Sequence, residues 1–190
     1  MAPLPALIKK HFLRPLNIGS LGDEAFTGRA GSLICGAALR VSVAIDESQR
    51  VVDSSFKAAG CSYLVGAASY LCEQIKGEPS GEVAALLQQP ALTVREALGD
   101  MPPEREHCLT LVCEALLSAI TAYSDTMRDE WYGDEALICS CFCVSEKTIE
   151  DAIRSGGLRT IAEVTKACNA GGGCRSCYSL IEDMLSGSNQ

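Results

Sequence analysis

A chain of 190 residues, 47% of them hydrophobic, has room for one domain of ordinary size plus a smaller one, each with a core. Its formal net charge of -8, with no block of Lys or Arg, argues against nucleic acid and anionic membranes and suits a basic protein partner. No apolar run approaches the roughly 18 residues of a membrane span, and the N-terminal basic residues follow the apolar stretch instead of preceding it, so the chain is read as cytoplasmic.

Leu39, Val41, Val43 and Ile45 alternate at the period of a half-buried strand, residues 46–49 make a turn, and 51–59 return as a second strand. Gly60-Cys61 ends this hairpin. Leu64, Val65, Ala68, Leu71, Cys72 and Ile75 then recur at helical spacing, with Gly77 as the stop and Pro79-Ser80-Gly81 as a break. Shorter helices are expected over 82–88 and around Val94 to Leu98, before a proline-stiffened stop at 99–103. From Cys108 through Ile120 the apolar positions describe a long amphipathic helix. The first unit is therefore predicted as α+β, a small antiparallel sheet with helices on one face. Residues 125–135, with five acids and one base, are read as an acidic linker, which places domains at 1–124 and 136–190. Helical patterns at 145–155, 160–167 and 177–185 fill the second domain, whose core is small enough to need a staple such as a metal.

Eleven cysteines in a chain without secretory features point to metal binding or thiol chemistry, since a reducing compartment does not keep disulfides. Cys139-Ser140-Cys141 and Cys174-Arg175-Ser176-Cys177 form two close pairs that can surround one metal centre. Zinc and iron–sulfur clusters both accept four thiolates, but zinc sites favour two to four intervening residues, so the CxC pair leans toward a cluster. Asn169-Ala170-Gly171-Gly172-Gly173 supports this, because glycines let backbone N–H groups approach sulfur. Cys143 and Cys168 break the pairing and are read as packing residues, as are Cys72 and Cys113 on apolar helical faces. A dispersed set, Cys35, Cys61 and His107-Cys108, lies at element junctions, where thiols are available to metal or sulfur. Spacing alone leaves open whether these form one site. His11 has no cysteine neighbour and is read as structural or exposed.

The segments KKHFLRPLNIGSL, SLICGAALRVSVAID, VVDSSFKAAGCSYL and MPPEREHC resemble, in order, those of the IscU/NifU scaffold proteins over about residues 8–123. ICSCFCVSEKTIEDAI and GGGCRSCYSLIEDML resemble the Bfd-like [2Fe-2S] domain over about 136–185. The resemblance implies a non-enzymatic scaffold: Cys35, Cys61 and Cys108, with His107, receive sulfur from a cysteine desulfurase and hold a transient [2Fe-2S] or [4Fe-4S] cluster. Cys139, Cys141, Cys174 and Cys177 then hold a permanent [2Fe-2S] cluster. It further implies a homodimer that passes clusters to apo iron–sulfur proteins, nitrogenase components among them. Two residues depart from the family pattern: Ala37 stands where the family has aspartate after Cys-Gly, and Arg105 replaces the lysine of a chaperone-read motif. The rival readings are a [2Fe-2S] electron-transfer protein with an N-terminal docking domain and a zinc-dependent sulfur acceptor.

Overall fold

The computed structural model describes residues 4–88, 94, 97–99 and 101–187. They form two compact units, Met1–Gly77 with Leu86–Ala122, and Glu78–Ala85 with Tyr123–Gln190.

The first unit begins with α1 (Ala6–Leu13), followed by a sheet of β1 (Phe26–Ser32), β2 (Ala37–Ile45) and β3 (Val51–Ala59), antiparallel in that order. The predicted hairpin is β2–β3, in the register that pairs Val41 with Phe56. Its turn closes where the Asp46 carboxylate accepts from the Arg50 amide at 2.9 Å. Period-two alternation puts Leu39, Val41 and Val43 on the buried face. The strand absent from the sequence reading is β1, FTGRAGS, whose glycines and arginine show no apolar alternation. Its requirement is spatial: a Cβ on Gly28 would lie 2.6 Å from the Ala119 backbone nitrogen and overlap the Ala115 carbonyl. Glycine lets the long helix rest directly on the strand.

The helix after Cys61 is α2 (Ser62–Gln74), buried along Leu64, Ala67, Ala68, Leu71 and Cys72. Gly66 admits α1 in the same way, since a Cβ there would meet Ile8 O at 2.8 Å. His11 is a structural residue. It is buried, its Nδ1 lies 2.9 Å from Ser69 Oγ, its ring meets Tyr70 edge-on, and burial lowers its pKa. The helix predicted near Val94 falls partly outside the described residues, of which Val94 and residues 97–98 are helical. A short turn of 3-10 helix, Pro103–Arg105, leads into α4 (Glu106–Glu130). By length and composition the stretch Pro103–Glu130 would suffice to cross a membrane, but most of its apolar window is buried. It is a core helix, carrying Val112, Ala115, Leu116 and Ala119. The opposite face of the sheet carries charged residues. There the register aligns exposed Arg29, Arg40 and Lys57 in one row, a basic patch that no linear stretch of sequence reveals.

Helix α4 extends through Glu130, so the acidic stretch read as a linker is helical over its first half. No Gly or Pro interrupts it there, and Arg128 pairs with Asp125 one turn earlier. Trp131 and Tyr132 beyond it are exposed.

The second unit contains the start of α3 (Ser80–Gln88), a two-strand ribbon of β4 (Leu137–Cys139) and β5 (Val144–Ser145), and helices α5 (Glu146–Gly156), α6 (Ile161–Cys168) and α7 (Tyr178–Gly187). The three predicted helices match these within a residue or two. Each of the first two is locally encoded. Ser145 caps α5, and Gly157 ends it in the left-handed region. Thr160 and Glu163 form a capping box on α6, and Asn169 at φ 63° closes it. Phe142, Val144, Ile149, Ile153, Val164 and Ile181 make the small core.

Candidate functional site

In the first unit, three chain junctions converge. Cys35 lies in the turn between β1 and β2, Cys61 immediately precedes α2 at the end of β3, and His107-Cys108 begins α4. Cys61 Sγ is 3.5 Å from Cys108 Sγ, His107 Nε2 is 3.7 Å from Cys108 Sγ, and Cys35 Sγ is 3.4 Å from His107 Nε2. The dispersed cysteines left open by spacing are therefore neighbours. They meet in pairs: among the described residues no three metal-ligating side chains close around one point.

Their environments divide the work. Cys35 is exposed, beside Leu33 and Ile34, which are fully exposed too. A hydrogen bond with Ser32, then one from the Ala37 amide, and a smaller effect of His107 lower its thiol to about 7. Cys108 is buried, and burial followed by its contact with Cys61 pushes it up to about 12. Burial is the largest influence on Cys61 and opposes ionisation. The Leu64 amide, the Cys108 thiol and the Tyr63 amide nevertheless hold it below its ordinary value. Neither amide closes a full cap hydrogen bond to Cys61. At neutral pH the accessible nucleophile is thus Cys35. Thiolate, not thiol, is alkylated, so iodoacetamide should modify Cys35 first in the apo-protein. Its rate should climb through about pH 7. A rate that instead follows an ordinary thiol, rising only above pH 8, would contradict this environment.

In the second unit the two predicted pairs also meet. Cys139 is the last residue of β4 and contacts Cys177, which directly precedes α7. Cys141 contacts Cys174, whose backbone N–H points at Cys141 Sγ over 3.4 Å. Burial raises Cys141, and raises Cys177 to about 12, while the Ser176 hydroxyl and amide lower Cys174. The donor set is four sulfurs, with no carboxylate or imidazole among them. A Cβ on Gly173 would lie 2.6 Å from both Cβ and Sγ of Cys141, so only glycine lets the backbone come this close. Four thiols with an amide aimed at sulfur fit an anionic iron–sulfur cluster.

Cys143 and Cys168 are half-buried near Cys139. Burial raises both, and the Cys168 thiol donates to Val164 O at 3.3 Å, one helical turn back. Cys72 and Cys113 are core residues, each raised to about 12 by burial. Sequence reasoning missed Ser32 and Ser176, the hydroxyls beside Cys35 and Cys174, because serine near cysteine carries no pattern. It also missed Ser124, whose hydroxyl donates to Cys141 O.

The model of the NifU-like N-terminal domain matches residues 6–129, and that of the BFD-like [2Fe-2S] binding domain matches residues 137–186. The chain is 32% identical over 180 residues to the nitrogen fixation protein NifU of Azotobacter chroococcum, covering 94% of this chain and 57% of that protein. It is 34% identical over 114 residues to the iron–sulfur cluster assembly scaffold protein IscU of Aquifex aeolicus, covering 60% of this chain and 71% of that one. The crystal structure of the N-terminal part of a NifU-like protein from Brucella abortus shares the fold, with a TM-score of 0.52 at 17% identity. That match covers 63% of this chain and 93% of the other. The chain thus spans little more than half the length of the NifU proteins it matches.

Proposed function

Because the chain belongs to the NifU-like N-terminal domain family, joined to a BFD-like [2Fe-2S] domain, we propose that it is a scaffold on which iron–sulfur clusters are assembled for other proteins. The observation that carries this is the convergence of Cys35, Cys61, Cys108 and His107 from three separate junctions. A docking module for electron transfer has no use for such a set.

Sulfur enters at Cys35. Its thiolate attacks the outer sulfur of a persulfide on a cysteine desulfurase, a new S–S bond forms on Cys35, the donor's S–S bond breaks, and the donor thiolate leaves. No external oxidant or reductant is consumed in this step. Cys61 and Cys108 lie within reach to share the growing cargo, and His107 bridges them to Cys35. An external electron donor, a thiol or a low-potential redox protein, supplies two electrons per sulfur to bring the persulfide sulfur to sulfide as iron joins as the second substrate. The finished cluster passes to apo-proteins, nitrogenase components among them. The protein transforms no small molecule and is not an enzyme in this reading. It works in the cytoplasm as a homodimer. The permanent [2Fe-2S] cluster would be held by Cys139, Cys141, Cys174 and Cys177, supplying one-electron redox chemistry beside the assembly site's thiol chemistry.

The test is mass spectrometry after incubation with a desulfurase and cysteine, without iron. One or more added sulfur atoms should appear on Cys35 and vanish in Cys35→Ser. Equal sulfur loading of Cys35→Ser would place entry elsewhere.

Ala37 tunes release. It is buried at the start of β2, two residues from Cys35, and presents a methyl where the family has a carboxylate. Alanine offers no oxygen ligand. Ala37→Asp should therefore shorten the life of the assembled cluster by about tenfold, as changes beside metal ligands commonly do. Loss to a chelator in the two proteins measures this, and equal rates would remove Ala37 from the mechanism.

A further inference from the structure

The loop that carries Cys174 and Cys177 is held by a part of the chain far from it in sequence. Residues Glu78–Ala85, lying between α2 and α4 along the chain, belong to the second unit. The Gly81 amide donates to the Asn169 side-chain carbonyl at 2.7 Å, a buried bond across 88 residues. A Cβ on Gly81 would lie 2.7–2.8 Å from Asn169 O, Cα and Cβ, and one on Gly172 would lie 2.5 Å from Gly81 C and Cα. The two backbones are in direct contact, glycine against glycine. Behind them, the Thr165 hydroxyl donates to Ala170 O at 2.7 Å. Asn169, Ala170, Gly171 and Gly172 are all buried. Ser80 Oγ and Glu82 Oε2 are buried there without a hydrogen-bond partner, a cost that the contact has to offset.

We propose that Asn169 is a positioning residue for the cluster-ligand loop, clamping residues 170–174 to the start of α3 so that Cys174 and Cys177 are held ready for the cluster. Asn169 suits this twice over. Its backbone, at φ 63°, ends α6 in the left-handed region that asparagine tolerates, and its side chain then faces the Gly81 amide. The BFD-like domain is accordingly not an independent C-terminal appendage in this chain, because one wall of its ligand loop is supplied by residues 78–85. This inference rests on the reading of the four thiols as a [2Fe-2S] site.

The test compares the full-length wild type with Asn169→Gly and Asn169→Asp. Glycine accepts the left-handed backbone but removes the acceptor oxygen, whereas aspartate keeps an acceptor in place. Iron loss to bathophenanthroline under anaerobic conditions should be about tenfold faster in Asn169→Gly and near wild type in Asn169→Asp. Hydrogen exchange in the apo-proteins should show a protected Gly81 amide in wild type and Asn169→Asp, and an exposed one in Asn169→Gly. Equal iron loss in all three, or equally fast loss in both variants, would overturn the clamp while leaving the cluster reading standing. Wild type that takes up no iron–sulfur cluster would overturn that reading and the clamp's role in holding a cluster together.

Discussion

Cys174→Ala is expected to yield a colourless second unit in an otherwise folded protein. The site as proposed offers four sulfurs with no carboxylate or imidazole among them, and Cys174 faces Cys141 directly. Loss of one thiolate should abolish stable cluster retention, and the small core of Phe142, Val144, Ile149, Ile153, Val164 and Ile181 should loosen with it. In domains this small, metal-binding energy is largely folding energy. Visible absorption reports the first effect, and hydrogen exchange over residues 136–185 the second. Cys143→Ala and Cys168→Ala are the controls, because neither thiol joins the two pairs. Cys168 is already satisfied by its own helix. Both should remain coloured. A coloured Cys174→Ala, or a bleached Cys143→Ala, would reassign the ligands.

Gly28→Ala should do comparable damage to the first unit for a different reason. The added methyl would meet backbone atoms of α4, the Ala115 carbonyl and the Ala119 amide nitrogen, which cannot swing aside as a side chain can. Strand and helix must part, opening a core that includes Val41, Val112 and Leu116. Overpacking of this kind costs about 3 kcal/mol, a large fraction of a domain's stability. Urea unfolding followed by far-ultraviolet circular dichroism measures it. Gly22→Ala supplies the control, since a Cβ there meets nothing within 4 Å. Equal midpoints for the two variants would mean that α4 does not rest on β1 as described.

Gly28 also shows why part of the fold was hidden in the sequence. The β2–β3 hairpin and helices α2, α5 and α6 were legible because alternation and helical spacing are local signals. Strand β1 was not, because FTGRAGS is shaped by the helix lying on it instead of by its own pattern. Helix α1 and the β4–β5 ribbon were missed as well. Each is short, and α1 is defined by a close approach at Gly66 far along the chain. The same division holds at the sites. Cys139, Cys141, Cys174 and Cys177 announce themselves by pairing. Cys35, Cys61 and Cys108 could not be united by spacing, and the fold brings their three junctions together. The contact that segment 78–85 makes with the ligand loop had no sequence signal. Pro79-Ser80-Gly81 reads as a break, and its glycine proves to be a point of contact. The Arg29, Arg40 and Lys57 row was invisible for a related reason, since it exists only across strands.

Iron and sulfide content per chain, determined before and after anaerobic reconstitution with a cysteine desulfurase, cysteine and ferrous iron, tests the scaffold account most directly. Protein as isolated should hold about two irons and two sulfides, the content of one [2Fe-2S] cluster, retained in a Cys35, Cys61 and Cys108 triple serine variant. Reconstituted wild type should gain further iron and sulfide, the triple variant should gain none, and a chelator should remove the added cluster first. Zinc in place of iron in the isolated protein, or an equal gain by the triple variant, would contradict the account.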